Sequence, residues 1–234
     1  MKPTAFEYAA PANLADAHAS LARDGAKALG GGQSLAAMMN LRLVRPAILV
    51  DIKRLPGLRG FIESPNWIRL GAATTHAQIE DGAVPDPTAG LLRHVARGIA
   101  YRAVRNRGTL GGSLAHADPA ADWPSVMAAL GATIITAAER RLPAETFMTA
   151  PLTTALRRGE IITAIEIPRH AGPWGYCKLN RKIGEFAHAI GIALPGRLLV
   201  GAIEAPPLMV DDPGHSPTPL SRIALIRAIA MRDA

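Results

Sequence analysis

The sequence predicts an α+β fold, or a split α/β arrangement, rather than a doubly wound sheet. Helix-like and strand-like patterns follow one another without strict alternation, and 22 Gly and 19 Pro among 234 residues punctuate them closely. Two glycine-rich segments, Gly30–Ser34 and Gly108–Ser113, stand far apart in the chain. Gly and Pro exceed their combined average usage of roughly 12%, which makes the chain turn-rich but not disordered. Hydrophobic residues are 49% of the total, and 44 residues are Ala, so much of the apolar content is small side chains. The length suffices for one large domain or two smaller ones.

The elements read in order. Pro11 and Asn13 open a first helix whose Leu14, Ala17, His18 and Leu21 share one face, and Gly25 closes it. A short strand, Ala26 to Leu29, runs into Gly30-Gly31-Gly32-Gln33-Ser34, a small apolar helix from Leu35 to Leu41, and a strand Ile48 to Ile52, making a compact βαβ-like unit. Leu55 to Pro65 reads as a boundary. Trp67 to Ala72 reads as a strand, Thr75 to Glu80 as a short helix, Pro85 and Pro87 as a turn, and Thr88 to Ile99 as a helix. The second glycine segment precedes a short helix near Ser125 to Leu130 and a β-branched run Ala132 to Thr136. Ile161 to Ile167 alternates as a strand that Pro168 ends. Beyond Pro195 the pattern is broken by Pro206, Pro207, Pro213, Pro217 and Pro219, before a last helix from Ser221 to Met231. No internal repeat stands out.

Composition excludes several functions. The net charge is +7, with 21 Arg against 5 Lys, which reads as a basic solvated surface and assigns no partner by itself. Aromatics at 4% leave few rings for stacking bases. The single Cys177 rules out a disulfide within the chain and a protein-ligated iron–sulfur cluster, which needs about four cysteines. The seven histidines show no i, i+4 zinc pair. Neither a nucleophile elbow nor a Walker loop is present. The first eight residues lack an apolar signal core, and the longest apolar stretch, Val126 to Ala138, is shorter than the roughly 20 residues that span a bilayer. A soluble cytoplasmic protein is the expectation.

The first glycine segment lies where a strand meets a helix, so its amides suit a phosphate, and a simple turn is the equal alternative. It imitates the dinucleotide fingerprint, since the following strand ends in Asp51 where a ribose-binding acid would stand, but Leu35 occupies the place of the third small residue. The second segment, Thr109-Leu110-Gly111-Gly112-Ser113, adds two hydroxyls around a glycine pair, with Asp122 following. A pyrophosphate bridged between two subdomains uses two such segments, and a single Rossmann unit does not. Arg93, Arg97, Arg102, Arg105 and Arg107 form a basic run suited to a diphosphate or to solvent. A Rossmann-like nicotinamide enzyme resting on Asp51, and a basic partner-binding scaffold without cofactor, are the other readings.

Five motifs in order carry a resemblance. Ala28-Leu29-Gly30-Gly31-Gly32-Gln33-Ser34-Leu35, the strand Ile48 to Ile52, Arg105-Asn106-Arg107-Gly108-Thr109-Leu110-Gly111-Gly112-Ser113, Asp118-Pro119-Ala120-Ala121-Asp122 and Ile165-Glu166-Ile167-Pro168 resemble the FAD-binding medium subunit of molybdenum hydroxylases. That group contains carbon monoxide dehydrogenase and xanthine dehydrogenase. The likeness is collinear to about residue 194 and includes Tyr176-Cys177-Lys178-Leu179-Asn180-Arg181 through Ala187.

The resemblance implies the PCMH-type FAD-binding fold: an N-terminal FAD-binding subdomain over 1–55, a second over 56–170, and a shortened C-terminal subdomain over 171–234. It implies that Gly30, Gly31, Gly32, Gln33, Ser34 and Leu35 hold the FAD pyrophosphate from one side and Thr109, Leu110, Gly111, Gly112 and Ser113 from the other. Asp122 would anchor the cofactor's polar end, and Ile162 and Lys178 would line the flavin side, with Ile99 at a ring-packing position. The implied role is electron relay in a heterotrimer, doubled by symmetry, with a molybdenum-cofactor large subunit and an iron–sulfur small subunit, and with no nucleic acid and no membrane span. The absence of an acid/base constellation fits, because a flavin brings its own redox chemistry. After Phe186 the sequence departs from the family, whose members continue with a fuller subdomain. The resemblance implies that Gly201 to Met209 keeps a remnant of the family's G-x-x-x-x-P element.

Overall fold

A computed structural model describes residues 2–234. The N-terminal unit comprises β1 (Glu7–Ala9), α1 (Leu14–Ala22), β2 (Ala26–Leu29), α2 (Leu35–Asn40) and β3 (Ile48–Asp51). Its sheet has the order β1-β3-β2, both pairings parallel. Every residue of the central β3 is buried, as a continuous apolar run between two parallel neighbours requires. Asn13 caps α1 by accepting from the Asp16 N–H at 2.8 Å, and Gly25 turns the chain at φ +68°. Because the strands are parallel, the Gly30 segment and Asp51 both emerge at their C-terminal ends, the customary place for a ligand in such sheets.

The second unit is an antiparallel sheet, order β4-β5-β10-β6-β7, formed by β4 (Phe61–Glu63), β5 (Trp67–Gly71), β6 (Thr133–Thr136), β7 (Arg141–Pro143) and β10 (Ile162–Pro168). Its helices are α3 (His76–Glu80), α4 (Leu91–Arg97), α5 (Arg102–Arg105), α6 (Leu110–His116), α7 (Asp122–Ala129) and α8 (Ala144–Phe147), with a small hairpin of β8 (Met148–Ala150) and β9 (Thr153–Thr154). The Leu55–Pro65 stretch is not a bare linker. Leu55 and Leu58 are fully buried in a core with Val50, Ala73 and Ile161, and Phe61–Glu63 pairs with β5. The second glycine segment is not a loop but the cap and first turns of α6, and the helix expected from Ser125 begins at Asp122.

The C-terminal unit is a meander of β11 (Gly175–Leu179), β12 (Ala189–Leu194), β13 (Arg197–Gly201) and β14 (Leu208–Val210), followed by a 3-10 turn (Pro213–His215) and α9 (Pro219–Asp233). Two of the prolines that obscured this region start elements rather than interrupt them: Pro213 opens the 3-10 turn and Pro219 the helix, where a missing N–H costs nothing. Thr218 and Ser221 close a capping box on α9. Helix α9 covers one face of the sheet at close range. A methyl group on Gly175 would lie 1.6 Å from the Ala228 carbonyl oxygen, and one on Gly191 would lie 2.4 Å from the Ala224 carbonyl carbon. One large apolar core joins this sheet, through Tyr176, Ile190, Ile192 and Leu199, to α4, α6, α7 and β10. Among the described residues no helix is long and apolar enough to cross a membrane.

Candidate functional site

The two glycine segments meet. A methyl group on Gly31 would sit 2.2 Å from the Arg107 carbonyl oxygen and 2.7 Å from the Gly108 Cα, and one on Gly30 would stand 3.4 Å from Thr109 Oγ1. Only glycine permits this approach of backbone to backbone. Gly32 adds a left-handed turn at φ +72°.

Their donors differ. Among the described residues nothing accepts from the backbone N–H groups of Gly31, Gly32, Gln33, Ser34 or Leu35; Ala36 is the first to bond, to the Gly32 carbonyl at 3.0 Å. The Ser34 hydroxyl makes no cap to α2. Such a run of unpartnered amides at a glycine turn has the chemistry of an anion cradle. In the second segment the amides after Thr109 are engaged: Leu110 donates to Thr74 O and Gly111 to Ala72 O, both at 2.9 Å, Gly112 to Thr109 Oγ1 at 3.1 Å, and Ser113 to Thr109 O at 3.0 Å. This side therefore offers the hydroxyl hydrogens of Thr109 and Ser113 and the Thr109 amide, but not the expected amides of Leu110 to Ser113. Gly111 is also explained by the protein itself, since a methyl there would lie 2.6 Å from Ala72 Cβ.

Asp122 and Lys178 come together. Lys178 Nζ donates to Asp122 Oδ2 at 3.0 Å and to the Gly98 carbonyl at 3.4 Å, and the Tyr176 hydroxyl donates to Asp122 Oδ1. The lysine and aspartate side chains are 9% and 6% exposed. Burial, then the Asp122 charge and hydrogen bond, push the Tyr176 phenol well above its ordinary range, so it remains a donor. Ile99 forms a bridge to Gly184, and Ile162 starts β10 within the large core. Lys178 and Ile99 thus stand at the C-terminal end of α4, at Gly98 and the residue after it.

Asp51 is not free for a ribose. Tyr8 donates its hydroxyl to Oδ2, the Lys53 amide donates to Oδ1 at 2.9 Å, and Lys53 Nζ lies 3.2 Å from Oδ2. Burial raises its carboxyl pKa, but these bonds outweigh burial and hold it below the usual range. The basic run divides as well: Arg102 binds Glu80 and Asp81, Arg105 binds Glu80, and Arg107 lines an open cavity of about 380 Å³ with Gln33, Ala103, Val104 and Asn106.

Sequence reasoning missed the supports beneath the second segment. The His76 amide donates to Gly108 O at 3.0 Å, and Trp123 Nε1 donates to His76 Nδ1 at 3.0 Å. Burial, helped by the Arg105 charge, holds the His76 imidazole down to about 4. No spacing signal links His76 to Trp123, which approach only in the fold.

Residues 4–170 match a family model described as FAD binding domain in molybdopterin dehydrogenase. The nicotine 6-hydroxylase medium subunit of Paenarthrobacter nicotinovorans is 37% identical over 193 residues, covering 81% of this chain and 68% of that protein. The structure of quinoline 2-oxidoreductase from Pseudomonas putida 86 aligns at 37% identity with a TM-score of 0.82, over 89% of this chain and 78% of that one. Carbon monoxide dehydrogenase from Hydrogenophaga pseudoflava, in a form lacking the Mo-pyranopterin moiety, aligns at 28% identity with a TM-score of 0.89, over 99% and 98%.

Proposed function

Because the chain belongs to the family of FAD-binding domains in molybdopterin dehydrogenases, we propose that it is the flavin-bearing medium subunit of a molybdenum hydroxylase-type oxidoreductase. Its fold is α+β, of the PCMH-type FAD-binding class. In this reading a large subunit carrying the molybdenum cofactor oxidises the substrate and an iron–sulfur small subunit passes the electrons on. The medium subunit delivers them to an external acceptor, in a cytoplasmic heterotrimer doubled by symmetry. The family membership favours this reading over a nicotinamide enzyme built on Asp51 and over a cofactor-free basic scaffold.

The observation that carries it within this chain is the run of free amides from Gly31 to Leu35, which starts where Gly31 presses on Arg107–Gly108 and Gly30 stands beside the Thr109 hydroxyl. It fits a diphosphate: five amides in one turn without an acceptor, bare glycine at Gly31 against the Arg107–Gly108 backbone, and a cation, Arg107, lining an open cavity with Gln33. We assign Gly30 to Leu35 to one side of the diphosphate. Thr109 and Ser113 contribute hydroxyls from the other, with Leu110, Gly111 and Gly112 shaping the turn that presents them. Asp122, Lys178 and Ile162 belong to the far end of the same site, where Lys178 ties the Asp122 carboxylate to the Gly98 turn. When bound, FAD supplies the redox chemistry, and the protein supplies position and electrostatics. The subdomain limits 1–55, 56–170 and 171–234 are part of the same proposal. Denaturing the purified complex tests it: release of one FAD per medium chain is the expected result, and a colourless complex free of flavin refutes the assignment.

A further inference from the structure

One member of the basic run is turned inward. The Arg105 side chain is 12% exposed, and its nitrogens all meet protein. Nε and Nη2 donate to the two carboxylate oxygens of Glu80 at 2.7 and 3.2 Å, and Nη1 donates to the carbonyls of Ile99 and Ala100 at 2.9 Å each. Glu80, at the end of α3, also accepts on Oε2 from Arg102 at 2.8 Å. The opposite end of α3 holds the Gly108 carbonyl through the His76 amide, and a Gly108 methyl would lie 2.7 Å from His76 Nε2. Between these two attachments the chain is stiff: the amides of Arg107 and Gly108 both bond the Val104 carbonyl, at 3.1 and 2.7 Å. The Arg107–Gly108 backbone so fixed is the wall that Gly31 touches.

We infer that Arg105, oriented by Glu80, is a positioning residue for the anion cradle: by clamping α5 onto α3 and the Ile99–Ala100 turn, it sets where the Arg107–Gly108 wall stands against Gly31. The inference rests on the flavin reading above. Four of the five Arg105 N–H donors are taken by Glu80, Ile99 and Ala100, leaving one on Nη2, so its main influence passes through the backbone it holds. A planar guanidinium is required because the carboxylate and the two carbonyls lie on different edges of one fork, which a lysine ammonium cannot reach together. A cradle of convergent amides depends on its spacing, so a small shift of the wall weakens every bond to the anion at once.

The test uses the chain within its co-expressed complex, comparing wild type with Arg105→Lys, Glu80→Gln and Arg140→Lys. Arg140 is a control, since it donates to Glu160 at 2.6 Å at the β6–β7 turn and touches neither glycine segment. FAD is stripped and its affinity measured by fluorescence titration, and the thermal midpoint of each stripped complex is recorded separately. Arg105→Lys and Glu80→Gln are expected to bind FAD about tenfold or more weakly, with Arg140→Lys near wild type at a comparable midpoint. Unchanged affinity in Arg105→Lys, or an equal loss in Arg140→Lys, overturns the positioning role. A wild-type complex that takes up no FAD overturns the flavin reading itself, and this inference with it.

Discussion

Lys178 Nζ lies 3.0 Å from Asp122 Oδ2, so a strand of the C-terminal sheet grips the first turn of α7 through a buried ion pair that Tyr176 completes. Removing one partner strands the other without compensation. Asp122→Ala is expected to cost about 3–5 kcal/mol, read as a fall in the urea midpoint, whereas the double variant Asp122→Ala with Lys178→Met should recover part of that loss. A single variant as stable as wild type would show the pair to be solvated.

Gly31→Ala places a methyl group against the Arg107 carbonyl, 2.2 Å from its oxygen, so the two glycine segments must separate. The expected outcome is loss of FAD from the purified complex. The N-terminal unit should remain folded, because its core residues Ala17, Ile48 and Val50 lie elsewhere. Retention of flavin by Gly31→Ala would place the cradle elsewhere. Gly111→Val is expected to act differently, destabilising the fold through its clash with Ala72 by about 1–3 kcal/mol.

The depressed pKa of His76, about 4 in the folded chain against the ordinary 6.5, makes stability depend on pH. The unfolded chain takes up the proton first, so the contribution is whole above the ordinary value and is lost as pH falls toward 4. Between pH 7 and pH 5 this amounts to about 2 kcal/mol. His76→Gln, which keeps an acceptor for Trp123, should flatten that slope in denaturant titrations at the two pH values. A slope identical to wild type would assign it to other groups.

Asp51→Ala tests the nicotinamide alternative. Because Tyr8 and Lys53 already occupy the carboxylate, the substitution should lower stability by about 1 kcal/mol and leave FAD content unchanged, with NAD failing to bind either protein. NAD binding by wild type that disappears in Asp51→Ala would restore that alternative.

Much of this was legible in the sequence. The run from Asn13 to Asp51 declared itself because each element there follows its own local rule: a capped helix, a glycine turn, and a buried apolar strand. The short strand Glu7–Ala9 gave no signal, since three residues cannot show a period, and it exists only because β3 offers an edge. The glycine segments were found, but not the asymmetry between them. That Gly111 donates to Ala72 while Gly31 donates to nothing depends on a strand and a helix far away in sequence. Arg105 looked like its basic neighbours until Glu80 was brought beside it. In the C-terminal sheet, β13 and β14 are obscured by the prolines beyond Pro195, although Pro213 and Pro219 stand at element starts.

The bare positions Gly175 and Gly191 beneath α9 have a consequence for how this region can vary. With hydrogen where neighbours carry side chains, the helix touches strand backbone directly, and no rotation of a rotamer can absorb an added carbon. The terminal helix is thus keyed to its sheet like a tongue in a slot. Sequence drift there should be free on the outer flank, at Ile223 and Ile226, and nearly forbidden underneath.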